Sequence, residues 1–124
     1  MKIIENYKRA IETSDELKEV FAPQVRVDVP AGPSATHPAN TASFIFSQVA
    51  KTAPGIKGIL TADAGDDWYL LGFEGQIEGQ TLQAIDQVHL NKDSKIDQVI
   101  IYMRPISAAQ TFAEAIMQRL QPMR

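Results

Sequence analysis

Cysteine is absent from the 124-residue chain, and histidine occurs only twice, as His37 and His89. A chain without cysteine forms no disulfide, no thiolate nucleophile and no zinc–cysteine site. Two imidazoles also fall short of the roughly three or four protein ligands that a zinc ion takes. We therefore expect neither a metal nor a cofactor.

Positive charge and long apolar runs are scarce as well. Lys and Arg number 12 against 15 Asp and Glu, which gives a net charge of −3 and disfavours nucleic-acid binding. The most apolar run, residues 99–103, is far shorter than the roughly 20 residues of a membrane span, and the first residues lack the apolar stretch of a signal peptide. We expect a cytoplasmic protein that binds neither nucleic acid nor membrane, with one domain over residues 1–124.

Helical spacing of the apolar residues predicts four helices. Two of them start at a capping box, formed by Thr13 and Glu16 in one case and by Ser107 and Gln110 in the other. The predicted helices cover residues 2–12, a short stretch from Thr13 to before Pro23, a third from Asn40 or Thr41 to Thr52, and a fourth from Ser107 to before Pro122.

The remaining segments are typical of strands. Residues 25–29 alternate apolar and charged side chains, whereas residues 30–40 show no periodicity and predict a loop. Four further segments, separated by short turns, predict consecutive antiparallel strands over residues 56–64, 68–77, 81–90 and 95–104. This order indicates an α+β fold, a cone in which helices cover the concave face of a curved, mostly antiparallel sheet. The mouth of such a cone is a natural small-molecule cavity.

Asp86 is the most unusual residue of the predicted meander. It shares a strand face with the apolar residues Ala84 and Val88, where an unpaired carboxylate is unfavourable unless it is protonated or faces a cavity. Such surroundings raise the pKa of a carboxyl group and suit it to acid–base chemistry. The alternative is a structural role, with Asp86 accepting a hydrogen bond from Tyr7 or from a helix end. Tyr7 itself lies on the apolar stripe of the first helix and is equally consistent with a core tyrosine.

Several stretches of the chain resemble a known superfamily. Residues 72–77, 85–90, 95–96 and 103–108 resemble the C-terminal half of SnoaL-like (polyketide-cyclase-like) domains, which belong to the nuclear transport factor 2-like (NTF2-like) superfamily. Residues 6–30 resemble the opening of the ketosteroid isomerases of the same superfamily. The resemblance spans nearly the whole chain and implies the same cone-shaped fold.

The resemblance also implies roles for individual residues. Ketosteroid isomerases use a carboxylate base, together with a tyrosine and a protonated aspartic acid that bind the developing oxyanion. On this chain the tyrosine corresponds to Tyr7 and the aspartic acid to Asp86, but the base position holds Val29. The neighbouring Asp28 points to the other strand face. SnoaL-like cyclases need only one acidic residue, on the strand of Asp86.

We therefore expect an apolar pocket in which Asp86 acts as acid or base and Tyr7 as hydrogen-bond donor, lined by Val29, Phe44, Gln48, Phe73 and Val88. Its occupant is a small apolar or polar-tipped molecule, and its activity is of the isomerase or cyclase type. The alternative is a non-catalytic ligand-binding or dimerisation module.

Apolar residues also lie on the outer face of the predicted sheet, where Ile85 neighbours Ile100 and Tyr102. A sheet that is apolar on both faces needs a cover for the second face, and the predicted helices are too few to supply one. The pattern predicts a homodimer through this sheet face. His89 is expected to face away from the cone, and His37 to lie in the exposed loop.

Overall fold

A six-stranded sheet and four α-helices make up the computed structural model, which describes residues 2–15 and 18–121. The helices are α1 (Lys2–Thr13), α2 (Ala39–Ser47), α3 (Val49–Thr52) and α4 (Ile106–Leu120), and a 3₁₀ turn covers Lys18–Val20. The strands are β1 (Phe21–Asp28), β2 (Ala35–Pro38), β3 (Lys57–Gly65), β4 (Trp68–Ile77), β5 (Gln80–Leu90) and β6 (Ile96–Arg104). Their order across the sheet is β2-β1-β6-β5-β4-β3.

Strands β3 to β6 form the expected antiparallel meander. Two-residue turns join β3 to β4 and β4 to β5, at Asp66–Asp67 and Glu78–Gly79, and all four turn residues have positive φ. Positive φ at both central positions is the geometry that matches the twist of a hairpin, and glycine and aspartate tolerate it best. The boundaries predicted for these four strands are correct to within one residue.

The parallel pairing of β1 with β6 joins the N-terminal half of the chain to the meander. Helix α4 then packs on β4, β5 and β6, while α2 packs on β1. These helices cover the concave side of the curved sheet, which confirms the predicted α+β class. The core lies between the two layers and contains fully buried large side chains such as Tyr7, Phe73 and Leu71. Within the described residues, no helix has the length and apolar character needed to cross a membrane.

The prediction of a loop over residues 30–40 is wrong in its second half, because β2 pairs there with β1 in antiparallel register. His37 accordingly lies opposite Val25 in the sheet and is only half-exposed. This strand has no alternating apolar pattern of its own. It forms because β1 offers a free edge, and such pairing cannot be read from local sequence.

The second predicted helix is also wrong within the described residues. Thr13 is the last residue of α1 and its hydroxyl donates to the carbonyl of Arg9 at 2.7 Å, so it caps no following helix. Glu16, the other half of that capping box, lies outside the described residues. Pro23 belongs to β1, in a stretch where the pairing with β6 is interrupted, so its missing N–H costs the sheet nothing.

The other two predicted helix starts need correction as well. α2 begins after Pro38 rather than at Asn40 or Thr41, and the third predicted helix is divided into α2 and α3. α4 begins after Pro105, and the hydroxyl of Ser107 donates to Gln80 at 2.7 Å instead of capping the helix. Pro122 lies outside the described residues.

Candidate functional site

Asp86 lies in the middle of β5, on the concave face of the sheet. The period-two alternation of the strand places it there, between Leu71 of β4 and Ile101 of β6 as its cross-strand neighbours. Its side chain is buried, with 5% of the residue exposed. The hydroxyl of Tyr7, on α1, donates a hydrogen bond to its Oδ2 at 2.7 Å. The helical spacing of α1 therefore places the hydroxyl of Tyr7 beside the carboxyl group that the alternation of β5 turns inward, and the two groups form one buried pair.

Burial dominates the electrostatics of this pair. It disfavours the charged form and raises the pKa of Asp86 from 3.8 to about 6, although the hydrogen bond from Tyr7 acts in the opposite direction. The pKa of Tyr7 lies well above its ordinary value, first because of burial and then because of the negative charge of Asp86. Tyr7 therefore stays protonated and donates, while Asp86 changes its charge close to neutral pH.

A cavity of about 130 Å³ adjoins Asp86. Its wall combines the concave face of the sheet with the inner sides of α2 and α4. Asp86 is the single polar residue among the described residues that line it. The others are Ile11, Val27, Val29, Pro30, Ala31, Ile45, Phe46, Val49, Ile56, Phe73, Ala84, Ile101, Met103, Ala109, Phe112, Ala113, Ile116, Met117 and Leu120.

The cavity opens to solvent where the segment after β1 meets the end of α4. Val29 and Met117 line the cavity and are yet 40% and 49% exposed, so they form its mouth. Asp28 tethers the adjoining loop, residues 29–34, by accepting hydrogen bonds from the side chains of Ser34, Arg26 and Gln98. The Ser34 bond, with smaller contributions from the other two residues, lowers the pKa of Asp28. Asp28 thus stays ionised and holds the loop at one side of the mouth.

Two of the expected pocket residues, Val29 and Phe73, line this cavity. Phe44, Gln48 and Val88 lie outside the lining. The phase of α2 turns Ile45 and Phe46 toward the cavity instead of Phe44.

Gln48 and Val88 are buried elsewhere. Gln48 donates to the hydroxyl of Ser47 at 3.2 Å, and Val88 shares the face of Asp86 but packs into the closed core two residues further along β5. Tyr7 is fully buried and outside the lining, so it reaches a ligand only through Asp86.

The apolar wall contains residues that the sequence prediction did not assign to the pocket. Ile101 and Met103 of β6 face the cavity, because β6 alternates in register with β5. The stripe of α4 that contains Phe112 and Ile116 forms the opposite wall. Both patterns were visible in the sequence as apolar periodicity, but periodicity alone does not distinguish a cavity wall from a packed core.

The two histidines take no part in this site. His89 faces the convex side, with Nδ1 at 2.6 Å from Oδ1 of Asp97 and its ring against Trp68 at 4.8 Å between centroids. In the described part of the chain, no three histidine or carboxylate side chains are grouped so that they could hold a metal ion.

Comparison with known proteins identifies the fold. No family model and no curated protein matches the sequence. Among solved structures, an uncharacterized protein with a cystatin-like fold from Silicibacter pomeroyi DSS-3 superposes with a TM-score of 0.88 and 17% identity, over 96% of this chain and 85% of that chain. A steroid delta-isomerase from Pseudomonas aeruginosa superposes with a TM-score of 0.85 and 21% identity, over 98% of this chain and 91% of that chain.

A SnoaL-like polyketide cyclase from Jannaschia sp. CCS1 superposes less closely, with a TM-score of 0.66 and 9% identity, over 90% of each chain. At such identities the likeness shows the fold and not the activity. The chain has the cone-shaped fold shared by NTF2-like proteins, SnoaL-like cyclases and steroid delta-isomerases, as the resemblance of its sequence implies.

Proposed function

We propose that the protein binds a compact, mainly apolar molecule in the cavity beside Asp86 and exchanges a proton with it, in a reaction of the isomerase or cyclase type. One observation carries the proposal: among the described residues, an otherwise apolar cavity has a single polar lining residue, and that residue is a buried carboxyl group. A ligand in the cavity therefore meets this group and no other polar side chain of the lining. The solved structures of this fold include a steroid delta-isomerase and a SnoaL-like polyketide cyclase, which supports the reaction class.

The acidity of Asp86 suits proton transfer. A general acid or base works best when its pKa lies near the working pH, and burial brings the pKa of Asp86 to about 6. Tyr7 donates its hydroxyl proton to Oδ2, so Oδ1 is the atom available for proton transfer. Because Val29 stands where the ketosteroid isomerases have their base, Asp86 must take up and return the proton by itself.

The volume of the cavity limits the ligand. Drug-sized ligands occupy pockets of roughly 300–1,000 Å³, whereas an apolar cavity of about 150 Å³ accommodates benzene. At about 130 Å³ the cavity beside Asp86 suits a molecule with one small ring. A four-ring steroid would extend far beyond the mouth.

Deuterium exchange tests the proton transfer directly. The protein is incubated in D₂O at pH 7 with a set of one-ring compounds that carry exchangeable C–H groups, and incorporation is measured by mass spectrometry. We expect at least one compound to exchange faster with the wild-type protein, and Asp86→Asn to reduce that acceleration by about 10²–10⁴-fold. Glu114→Gln is the matched control, because it removes one negative charge from an exposed position of α4 outside the lining. An equal loss of exchange in both variants would contradict the role of Asp86.

The second candidate function is ligand binding without catalysis. It is favoured by Val29, which leaves the site without the second carboxylate of the isomerases. Under this alternative, one-ring compounds bind in the cavity, but neither the wild-type protein nor the variants change their exchange rate.

The convex face of the sheet supports a further proposal, a homodimer. Leu60, Gly72, Ile85 and Tyr102 form one continuous row across β3 to β6. Leu60 is 50% and Tyr102 52% exposed. A groove of about 360 Å³ runs along this row. Exposed apolar patches of this kind mark interaction surfaces.

A second copy of the chain is the partner that fits this face. The neighbouring row across the same strands contains Lys57, Glu74, Gln83 and Arg104. This row therefore carries both signs of charge beside the apolar row. A two-fold axis can bring the acidic residue of one copy opposite a basic residue of the other copy.

Light scattering after size exclusion tests the homodimer. We expect twice the chain mass of 13.7 kDa for the wild-type protein and the single-chain mass for Ile85→Lys. Ile106→Lys is the control, because Ile106 is 75% exposed but outside the groove. A wild-type protein of single-chain mass at micromolar concentration would refute the homodimer.

A further inference from the structure

We propose that the cavity selects a hydrogen-bond donor with positive charge, so that its ligand is a compact organic ammonium ion with an apolar body. This inference rests on the ligand-binding part of the proposed function, because it names the ligand class of the same cavity. It follows from the way Tyr7 and Asp86 share their hydrogen-bonding capacity and from the absence, among the described residues, of a counter-charge at Asp86.

While Asp86 is ionised, the hydrogen-bonding inventory of the site leaves only acceptors for the ligand. Tyr7 has one hydroxyl proton, and that proton is donated to Oδ2 of Asp86 at 2.7 Å. An ionised carboxyl group has two acceptor oxygens and no donor. No described side chain or backbone N–H donates to Oδ1, and the remaining lining residues carry no polar side-chain group. A ligand that ends in an N–H group thus meets a partner, whereas one that ends in a carbonyl oxygen meets none.

The charge of Asp86 has no partner of opposite sign in the described part of the chain. The three ion pairs found there involve Glu12, Asp28 and Asp97, none of which touches Asp86. From α1 the titratable group that faces Asp86 is Tyr7, which remains neutral.

Within the part of the chain that the structure describes, the other elements around Asp86 contribute no titratable group. Its neighbours on β4 and β6, Leu71 and Ile101, are apolar, and so are the residues by which β1, α2 and α4 line the cavity. A buried, unpaired carboxylate is strongly unfavourable. A cationic ligand supplies the missing counter-charge, which a neutral ligand of the same shape cannot do.

Three six-membered-ring compounds of nearly equal size separate these chemistries. Cyclohexylamine is a charged donor at pH 8, cyclohexanol is a neutral donor and acceptor, and cyclohexanone is only an acceptor. Each is titrated into ¹⁵N-labelled protein at pH 8, and binding is followed at the amides of Phe73, Ala84 and Ile101. We expect the affinity to fall in the order amine, alcohol, ketone, with at least a tenfold difference between the first and the last.

Two perturbations connect this preference to Asp86. Asp86→Asn removes the charge and adds an N–H donor, so the amine should lose at least tenfold in affinity while the ketone gains. Glu114→Gln, with the same loss of charge at an exposed site, should leave both unchanged. Lowering the pH from 8 to 5 should weaken the amine about tenfold, because the pKa of Asp86 is about 6 and the carboxyl group is then mostly protonated.

The possible failures are distinguishable. If the ketone binds the wild-type protein at pH 8 as tightly as the amine, the ammonium preference is wrong, while the proposed ligand-binding function stands. An equal effect of Asp86→Asn and Glu114→Gln on the amine also overturns the inference, since it assigns the preference to general surface charge. If none of the three compounds shifts the cavity amides, the proposed function fails together with the inference.

Discussion

Replacing Asp86 with asparagine should stabilise the protein at neutral and alkaline pH. Burial raises the pKa of Asp86 from 3.8 to about 6, and at about 1.36 kcal/mol per pKa unit the ionised carboxyl group destabilises the fold by about 3 kcal/mol. Because the pKa of Asp86 is higher in the folded state than in the unfolded state, the contribution of Asp86 to stability is greatest below about pH 3.8. This contribution is lost as the pH rises through about 6. Asparagine has a similar shape, keeps an oxygen to accept from Tyr7, and does not ionise. The expected gain in the free energy of unfolding of Asp86→Asn over the wild-type protein is therefore close to zero at pH 4 and rises toward about 3 kcal/mol at pH 8.

Urea unfolding at pH 4, 6 and 8 measures this gain, with the fluorescence of Trp68, the only tryptophan, as the signal. Other carboxyl groups titrate in the same range, so the informative quantity is the difference between the two proteins at each pH. Glu114→Gln serves as the control and should show a difference near zero throughout, because its side chain is exposed. If Asp86→Asn is equally or less stable than the wild-type protein at pH 8, burial does not govern the ionisation of Asp86 and the reasoning fails.

Two further substitutions test the surroundings of Asp86. Tyr7→Phe removes the hydrogen bond that lowers the pKa of Asp86, so the carboxyl group of Asp86 should titrate above pH 6 by ¹³C NMR. The variant should also lose about 1.5–3 kcal/mol of stability at pH 8. A titration midpoint at or below that of the wild-type protein would contradict the contact. Ala113→Phe should fill the cavity near its mouth, weaken the binding of a one-ring amine at least tenfold and cost about 1–3 kcal/mol. Gln110→Phe, at an exposed position of α4, is the control for the second substitution, and unchanged amine affinity in Ala113→Phe would place the binding site elsewhere.

The meander could be predicted from the sequence because its determinants are local. Alternating apolar residues define each strand, and pairs such as Glu78–Gly79 define the turns between them. The same local logic failed where distant residues decide the outcome. Ser107 matches a capping box, but its hydroxyl binds Gln80, which the fold brings to the start of α4. Strand β2 exists only because the edge of β1 is free to pair.

The candidate site was predictable to the same extent. Alternation along β5 places Asp86 on the buried face, and the resemblance to ketosteroid isomerases paired it with Tyr7. Phe44 was expected in the lining but lies outside it, because the rotation of a nine-residue helix depends on its packing against β1 and α1. The size of the cavity could not be predicted at all, since it is the volume that packing on both sides leaves unfilled.

The construction of the cavity mouth has a kinetic consequence. The loop of residues 29–34 is held at one end by the pairing of β1 with β2 and at Asp28 by three side chains. Entry of the proposed ligand therefore requires rotation of single side chains such as Met117, which takes picoseconds to nanoseconds. It does not require the opening of a lid, which takes microseconds to milliseconds. Typical enzymes turn over about 1–10³ times per second. Under the proposed function, opening of such a mouth is faster than turnover, so the mouth itself does not limit the measured rate constant.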